Sequence, residues 1–125
     1  MLLEIGYKMP KSPLLSEAYI RFTKFMEAVE KAPGFPLLDE VEKKLLQKIA
    51  VQENSNIPVL VGDLVFSNPA GSPATINRRL ANLQKKKLIK YVSDDDGRKR
   101  YIRLTQKSKS YFNKLGELIV LASRN

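Results

Sequence analysis

The sequence contains no cysteine, no histidine and no tryptophan. Without cysteine there is no disulfide or thiol chemistry, and without cysteine or histidine the usual zinc and copper sites cannot be built. The same absences exclude mechanisms in which a histidine activates a serine or cysteine nucleophile. The 13 carboxylates mostly lie beside lysines in helical surface patterns, and they form no recognisable catalytic constellation. We therefore expect a protein that is not an enzyme and that needs no metal or other cofactor.

Long apolar runs are also absent. No stretch approaches the ~20 apolar residues that span a bilayer, and the first residues lack the basic and apolar regions of a signal peptide. The lack of cysteine fits a reducing compartment, so the sequence predicts a cytoplasmic protein without membrane contact. A length of 125 residues, with 43% hydrophobic and 28% charged residues, suits a single domain with one core.

Positive charge is concentrated in one part of the chain. Residues 72–110 contain 12 basic and 3 acidic residues, a surplus of nine, and the remaining 10 basic and 10 acidic residues balance. This segment therefore carries the whole formal net charge of +9. A cationic segment on a neutral body is typical of a protein that binds a polyanion, whereas a merely soluble surface would spread its charge more evenly. The distribution predicts nucleic-acid binding.

The first third of the chain predicts two helices. Ser12-Pro13 is typical of a helix start, and apolar residues at helical spacing continue to about residue 31, with Phe22 on a wide apolar face. That face is explained equally by burial within the chain or by contact with a second subunit. A proline- and glycine-rich loop follows, and Asp39 then caps a helix over residues 40–52. Residues 1–11 allow no structural interpretation beyond an arm that packs or frays.

The middle of the chain has the layout of a helix-turn-helix. Residues 60–67 suit either a strand or a short helix, but their position before a turn and the Ser72 cap favours a short helix followed by a second helix to about residue 87. In this second helix Ile76, Leu80 and Leu83 form one narrow apolar stripe. The remaining polar faces are predicted to be free to enter a DNA groove.

A charged hairpin and a last helix follow. Alternating residues predict strands over 88–93 and 100–104, joined by a turn with an Asp-Gly signal. Either an aspartate of the turn orients an arginine while Arg98 and Lys99 face DNA, or the hairpin is simply solvated. Thr105 caps a helix from 106 to about 123, which is apolar nearly all round at its end. We interpret that end, together with the first helix, as a dimer interface.

At the level of residues, this pattern resembles the MarR family of bacterial transcriptional regulators between about Leu38 and Leu115. The Asp-x-Arg signature of the family's wing, followed after five residues by Leu-Thr, is met by Asp96-Gly97-Arg98 and Leu104-Thr105. Three further segments are similar to the family's helix starts and recognition helix: residues 38–42, Asp63-Leu64-Val65 and residues 74–89. Lys87 stands where the family usually has glycine.

The resemblance implies a mainly α fold with a small β-hairpin (α+β): a winged helix-turn-helix domain at residues 37–105, flanked by dimerisation helices at 1–36 and 106–125. It implies a regulator, a repressor in this interpretation, that binds a pseudo-palindromic operator on double-stranded DNA as a homodimer. The second helix of the helix-turn-helix would enter the major groove and the wing the minor groove. A protein–protein adaptor and a non-specific nucleic-acid binder remain alternatives.

The predicted functional residues form three sets. DNA contacts are expected from Ser72, Thr75, Asn77, Arg78, Arg79, Lys85, Arg98, Lys99 and Arg100, with Asp96 bracing Arg98. Dimer contacts are expected from Phe22, Leu115, Leu118, Ile119 and Ala122. A small-molecule inducer of unknown identity could bind near Phe22, Phe25, Tyr111 and Phe112, although aromatic residues at helical spacing more often belong to a core.

Overall fold

The computed structural model describes residues 15–124, so the predicted arm and the Ser12-Pro13 helix start lie outside the described residues. The described chain folds as α1 (Leu15–Glu30), α2 (Glu40–Asn54), β1 (Val59–Leu60), α3 (Val61–Phe66), α4 (Pro73–Lys85), β2 (Ile89–Ser93), β3 (Arg100–Leu104) and α5 (Gln106–Ser123). The predicted α+β winged-helix class is confirmed, with α3 and α4 forming the helix-turn-helix and β2–β3 forming the wing.

Side-chain caps explain where the main helices begin. Asp39 accepts a hydrogen bond from the Glu42 N–H while the Glu42 carboxylate accepts one from the Asp39 N–H, which is a complete capping box. Ser72 caps α4, and Pro73 occupies its first position, where no N–H is needed. Thr105 caps α5. The predicted caps of these three helices are therefore confirmed.

The recognition-type helix α4 ends earlier than predicted. The Lys87 N–H donates to the Gln84 carbonyl and the Leu88 N–H donates to the Leu83 carbonyl, the paired bonds of a Schellman motif. The motif needs a left-handed residue after the helix, and Lys87 takes that conformation with φ +62°. The predicted end near Lys87 therefore lay two residues too far, about half a turn, because a lysine gives no local signal for this conformation.

The sheet has three strands, and the sequence predicted only two. β3 lies in the middle, between β1 and β2, and both pairings are antiparallel. In the strand that the prediction missed, Val59 pairs with Ile102 and Leu60 with Tyr101. A two-residue strand has no readable alternation, so only the tertiary pairing reveals it.

The core lies between α2, α3, α4 and the inner face of the sheet. Its side chains are buried and almost entirely aliphatic: Leu45, Leu46, Ile49, Val59, Leu64, Val65, Ile76, Leu80, Leu83, Leu88, Ile89, Ile102 and Tyr111. The α4 stripe predicted from spacing, Ile76, Leu80 and Leu83, is fully buried. In contrast, α1 contains no buried residue and packs mainly along α5. The helix-turn-helix is thus packed on the core along one side. The α1–α5 pair, in contrast, has a side that no other described element covers.

Candidate nucleic-acid interface

The side of α4 that faces away from the core carries small and polar side chains. Ser72 is the N-cap of α4. Its hydroxyl accepts a hydrogen bond from the Thr75 N–H at 3.2 Å and contacts the Thr75 hydroxyl at 3.1 Å. Asn77, Arg78 and Lys85 are exposed, and Thr75 is half-buried. No salt bridge holds Arg78 or Lys85 within residues 15–124. These side chains can therefore meet a ligand without first breaking an ion pair.

Arg79 is placed differently from these side chains, since its guanidinium pairs with a carboxylate of α2. Its Nε atom lies 3.1 Å from Asp39 Oδ2 of the α2 cap. The Nε atom is buried and has no aligned hydrogen-bond partner, so the contact is a charge pair rather than a hydrogen bond. Arg79 faces α2 because the packing of α4 on α2 turns this position inward.

The basic C-cap residue of α4 is also held by α2. Lys86 Nζ lies 2.9 and 3.1 Å from the two Glu42 carboxylate oxygens and donates to the Leu37 carbonyl at 2.8 Å. The Glu42 side chain is only 3% exposed. The sequence signal was limited to the capping box between Asp39 and Glu42, which does not name a tertiary partner, so sequence reasoning missed this cluster.

The wing turn uses its aspartates internally. Asp94 pairs with Lys99 through backbone and side-chain hydrogen bonds, and Gly97 takes φ +73° at the turn. Asp96 Oδ1 accepts the Arg98 N–H at 3.0 Å, and Asp96 Oδ2 lies 3.4 Å from Arg98 Nε. Desolvation raises the pKa of Asp94, but an interaction with the Asp96 side chain and hydrogen bonds with the backbone at Lys99, Arg98 and Gly97 outweigh it, so its pKa is lowered. The carboxylates shape the turn, and the Arg98 side chain remains 85% exposed.

Arg100 is positioned by an aromatic ring. Its guanidinium carbon lies 4.8 Å from the centre of the Tyr91 ring, which is a cation–π contact. The two residues lie diagonally on neighbouring strands, since Tyr91 pairs with Ile102 and Arg100 with Ser93. Desolvation raises the pKa of Tyr91, while the charge of Arg100 lowers it by less. The ring therefore stays neutral near pH 7 and supports a guanidinium that is still exposed.

The turn end of the wing lies beside the helix-turn-helix. Arg98, Lys99 and Arg100 border a groove of about 400 Å³ whose other wall includes Gly62 and Asp63 of α3. Basic residues of the hairpin are thus brought next to the first helix of the motif. The predicted Asp96 brace and the three basic wing residues form one local group, whereas α4 supplies a second group.

The residues predicted to form a dimer contact fall into two groups. Leu118 and Ala122 are buried within the chain, and Arg21 of α1 donates two hydrogen bonds to the Ala122 carbonyl at 2.8 and 3.1 Å. Phe22 and Leu115 are half-buried, while Ile119 is 58% exposed. The first group already packs within one subunit, so only the second leaves apolar surface for a partner.

Two of the four aromatic residues predicted to lie near an inducer, Tyr111 and Phe112, contact each other and the core. Tyr111 is buried, stacks on Phe35 with 5.2 Å between ring centres, and meets Phe112 edge-on at 5.3 Å. A cavity of about 510 Å³ adjoins Phe35 and Tyr111 between the α1–α2 loop and α5. The inducer remains a prediction, and Phe22 and Phe25 do not line this cavity.

In the described part of the chain, no group of three or more carboxylates is arranged to hold a metal ion. None of the helices between residues 15 and 124 combines the length and the apolar character that a membrane span requires.

Comparisons with known proteins do not assign this chain to a family. No protein-family model matches the sequence, and no match was found among curated proteins. Among solved structures, the chain is similar to a MarR-family transcriptional regulator from Silicibacter pomeroyi, with 17% sequence identity and a TM-score of 0.49. The similarity covers 87% of this chain and 66% of that chain. A likeness of this extent assigns neither a family nor an activity to this chain.

Proposed function

We propose that this protein is a single-domain, cytoplasmic regulator of transcription, acting as a repressor, that binds a pseudo-palindromic site on double-stranded DNA as a homodimer. One observation carries the proposal: the exposed polar side of α4 and the exposed basic wing both belong to the segment that holds the entire net charge of +9. A helix-turn-helix with this charge fits DNA in shape and in electrostatics.

The first turns of α4 are suited to reading bases in the major groove. An α-helix fits this groove, and arginine and asparagine form bidentate hydrogen bonds with guanine and adenine respectively. Asn77 and Arg78 are exposed, and Ser72 and Thr75 present hydroxyl groups at the same end of the helix. We assign Ser72, Thr75, Asn77 and Arg78 to the base-facing surface.

The wing is suited to the minor groove. Arg98 is the most exposed charged group among the paired residues of the described structure, and Asp96 contacts both its backbone N–H and its guanidinium. Narrow A·T-rich minor grooves concentrate negative potential and attract an inserted arginine. We assign Arg98 to the minor groove and Lys99, Arg100 and Lys85 to phosphates. Arg79, which is paired with Asp39, is left out of the contact set.

Dimerisation would cover the open side of the α1–α5 pair. Six large apolar residues of these helices are between 44% and 68% exposed: Leu15, Tyr19, Ile20, Ile119, Val120 and Leu121. Several large apolar residues exposed on one helix pair are typical of an interaction surface. Two helix-turn-helix units related by a two-fold axis would then meet successive major grooves, about one helical turn of DNA apart.

The test begins with selection of binding sites from a pool of random duplexes. A selected duplex labelled with a fluorophore is then titrated by anisotropy, with and without random competitor DNA, at 50 and 200 mM salt. We expect a palindromic consensus, competitor-resistant binding by two protomers per site, and a loss of affinity of ~10³–10⁵ between the two salt concentrations if six to ten phosphates are neutralised.

Two results would contradict the proposal in different ways. Binding without any consensus, abolished by competitor, would indicate a non-specific nucleic-acid binder. Failure to bind DNA even at low salt would mean that the cationic segment has another partner, such as a protein.

A further inference from the structure

The carboxylate of Glu42 is buried although it belongs to the first turn of a surface helix. A capping box explains one hydrogen bond of this side chain, the one from the Asp39 N–H at 2.9 Å. It does not explain why the side chain is only 3% exposed, since a carboxylate is costly to bury without a partner of opposite charge. Lys86 supplies that partner from α4, with contacts of 2.9 and 3.1 Å.

Lys86 is itself fully engaged. An ammonium group has three donors, and here the acceptors are the two oxygens of Glu42 and the Leu37 carbonyl. Lys86 is the C-cap residue of α4, so this cluster fixes the C-terminal end of that helix to the start of α2. We call the four residues Asp39, Glu42, Arg79 and Lys86 the α2–α4 clamp.

The Asp39–Arg79 pair provides a second fixed point. Arg79 and Lys86 are seven residues apart, which is about two turns, so the backbone positions from which they reach α2 lie roughly 10 Å apart along α4. Two fixed points on one side of a helix determine its direction as well as its position. The apolar stripe of Ile76, Leu80 and Leu83 holds α4 on the core, but aliphatic contacts alone tolerate small rotations.

We propose that Asp39 and Glu42 are positioning residues for DNA recognition: through Arg79 and Lys86 they set the direction of α4 and hence the alignment of Asn77 and Arg78 with the bases. This inference rests on the proposed function. It reverses the expectation from charge alone, because a carboxylate near DNA repels phosphates and its removal should strengthen binding.

Two conservative variants isolate the charge pairs. Asp39→Asn keeps a good N-cap residue, and Glu42→Gln keeps the capping box, so α2 retains its start while each clamp contact loses its charge. The matched control is Glu40→Gln. Glu40 is in the same first turn, its side chain is 81% exposed, and its only ion pair in the described structure is with Lys43 at 3.7 Å.

Each protein is titrated with the selected duplex and with a random duplex over a range of salt concentrations, and thermal unfolding is followed by circular dichroism. We expect each clamp variant to bind the selected duplex about tenfold more weakly, the scale of one misaligned base contact. Binding to the random duplex should be unchanged or tighter, and the slope of log K against log salt should be unchanged because no phosphate contact is lost. The control should bind both duplexes at least as well as the wild type.

These measurements distinguish failure of the positioning role from failure of the proposed DNA-binding function. If the wild type selects a sequence but both clamp variants bind that sequence as tightly as the wild type, the positioning role is wrong and the regulator role stands. Equal weakening on both duplexes with a reduced salt slope would also overturn the positioning role, since that result marks loss of phosphate contacts. If the wild type selects no sequence, the proposed function fails and the inference fails with it.

Discussion

Among single residues, Lys87 has a backbone conformation that is unfavourable for any residue with a side chain. It has φ +62° at the end of α4, a conformation that costs a non-glycine residue ~1–2 kcal/mol. Lys87→Gly should therefore raise the free energy of unfolding by about 1 kcal/mol, measured by urea denaturation. Gln84→Gly, exposed inside the same helix, is the control and should lower it by about 1 kcal/mol. A loss of stability in Lys87→Gly would mean that the lysine makes contacts that outweigh its backbone strain.

Arg78 can be tested by its effect on sequence preference. Arg78→Ala should relax the preference at one base position as well as weaken binding, because a bidentate base contact contributes ~1–3 kcal/mol of discrimination. Site selection repeated with the variant would measure this. Lys85→Ala should instead weaken binding to all sequences alike and reduce the salt slope by about one. Uniform loss in both variants would assign Arg78 to a phosphate.

Arg98 can be tested by the DNA that flanks the central site. Arg98→Ala should weaken binding most where the flanks are A·T-rich, since the narrow groove there attracts arginine most strongly. Competition between duplexes with one central sequence and either A·T or G·C flanks would measure it, with Lys99→Ala as the neighbouring control. Equal losses on both kinds of flank would argue against insertion of Arg98 into the minor groove.

At the scale of helices and strands, the sequence was most informative where the signal is local. The Asp-Gly turn, the caps at Asp39, Ser72 and Thr105, and the spacing of Ile76, Leu80 and Leu83 all depend on neighbouring residues, and they predicted the helix-turn-helix and wing. Strand β1 was not predicted, because it is defined only by its pairing with β3.

In the candidate site, too, the features that depend on neighbouring residues could be predicted, and those that depend on tertiary packing could not. The exposed position of Arg78 and the Asp96–Arg98 contact follow from helix periodicity and from a short turn, both of which can be read locally. The pairing of Arg79 with Asp39 could not be predicted from the sequence, because Asp39 lies forty positions earlier and contacts Arg79 only when α2 packs on α4. Exposure of a charged residue on a helical wheel therefore does not by itself make that residue available to DNA.

For the whole molecule, the open side of the α1–α5 pair makes a testable prediction. Ile119→Asp should convert a dimer into a monomer, because it introduces a charge into an apolar contact. Sedimentation equilibrium at micromolar concentration would measure this, and the variant should also lose affinity for the full palindrome more than for a half-site. Val51→Asp is the control, since Val51 is 67% exposed on α2. A wild type that sediments as a monomer would remove the dimer from the proposal.

The uneven distribution of charge has a further consequence for the rate at which the molecule finds DNA. A net charge of +9 confined to residues 72–110, beside a neutral remainder, gives the protein a large electric dipole moment. In the proposed binding to DNA, the field of the duplex would turn this dipole during diffusion, so that α4 and the wing lead the approach. Fewer encounters are then wasted in the wrong orientation, and the association rate constant, more than the dissociation rate constant, should fall as the ionic strength rises.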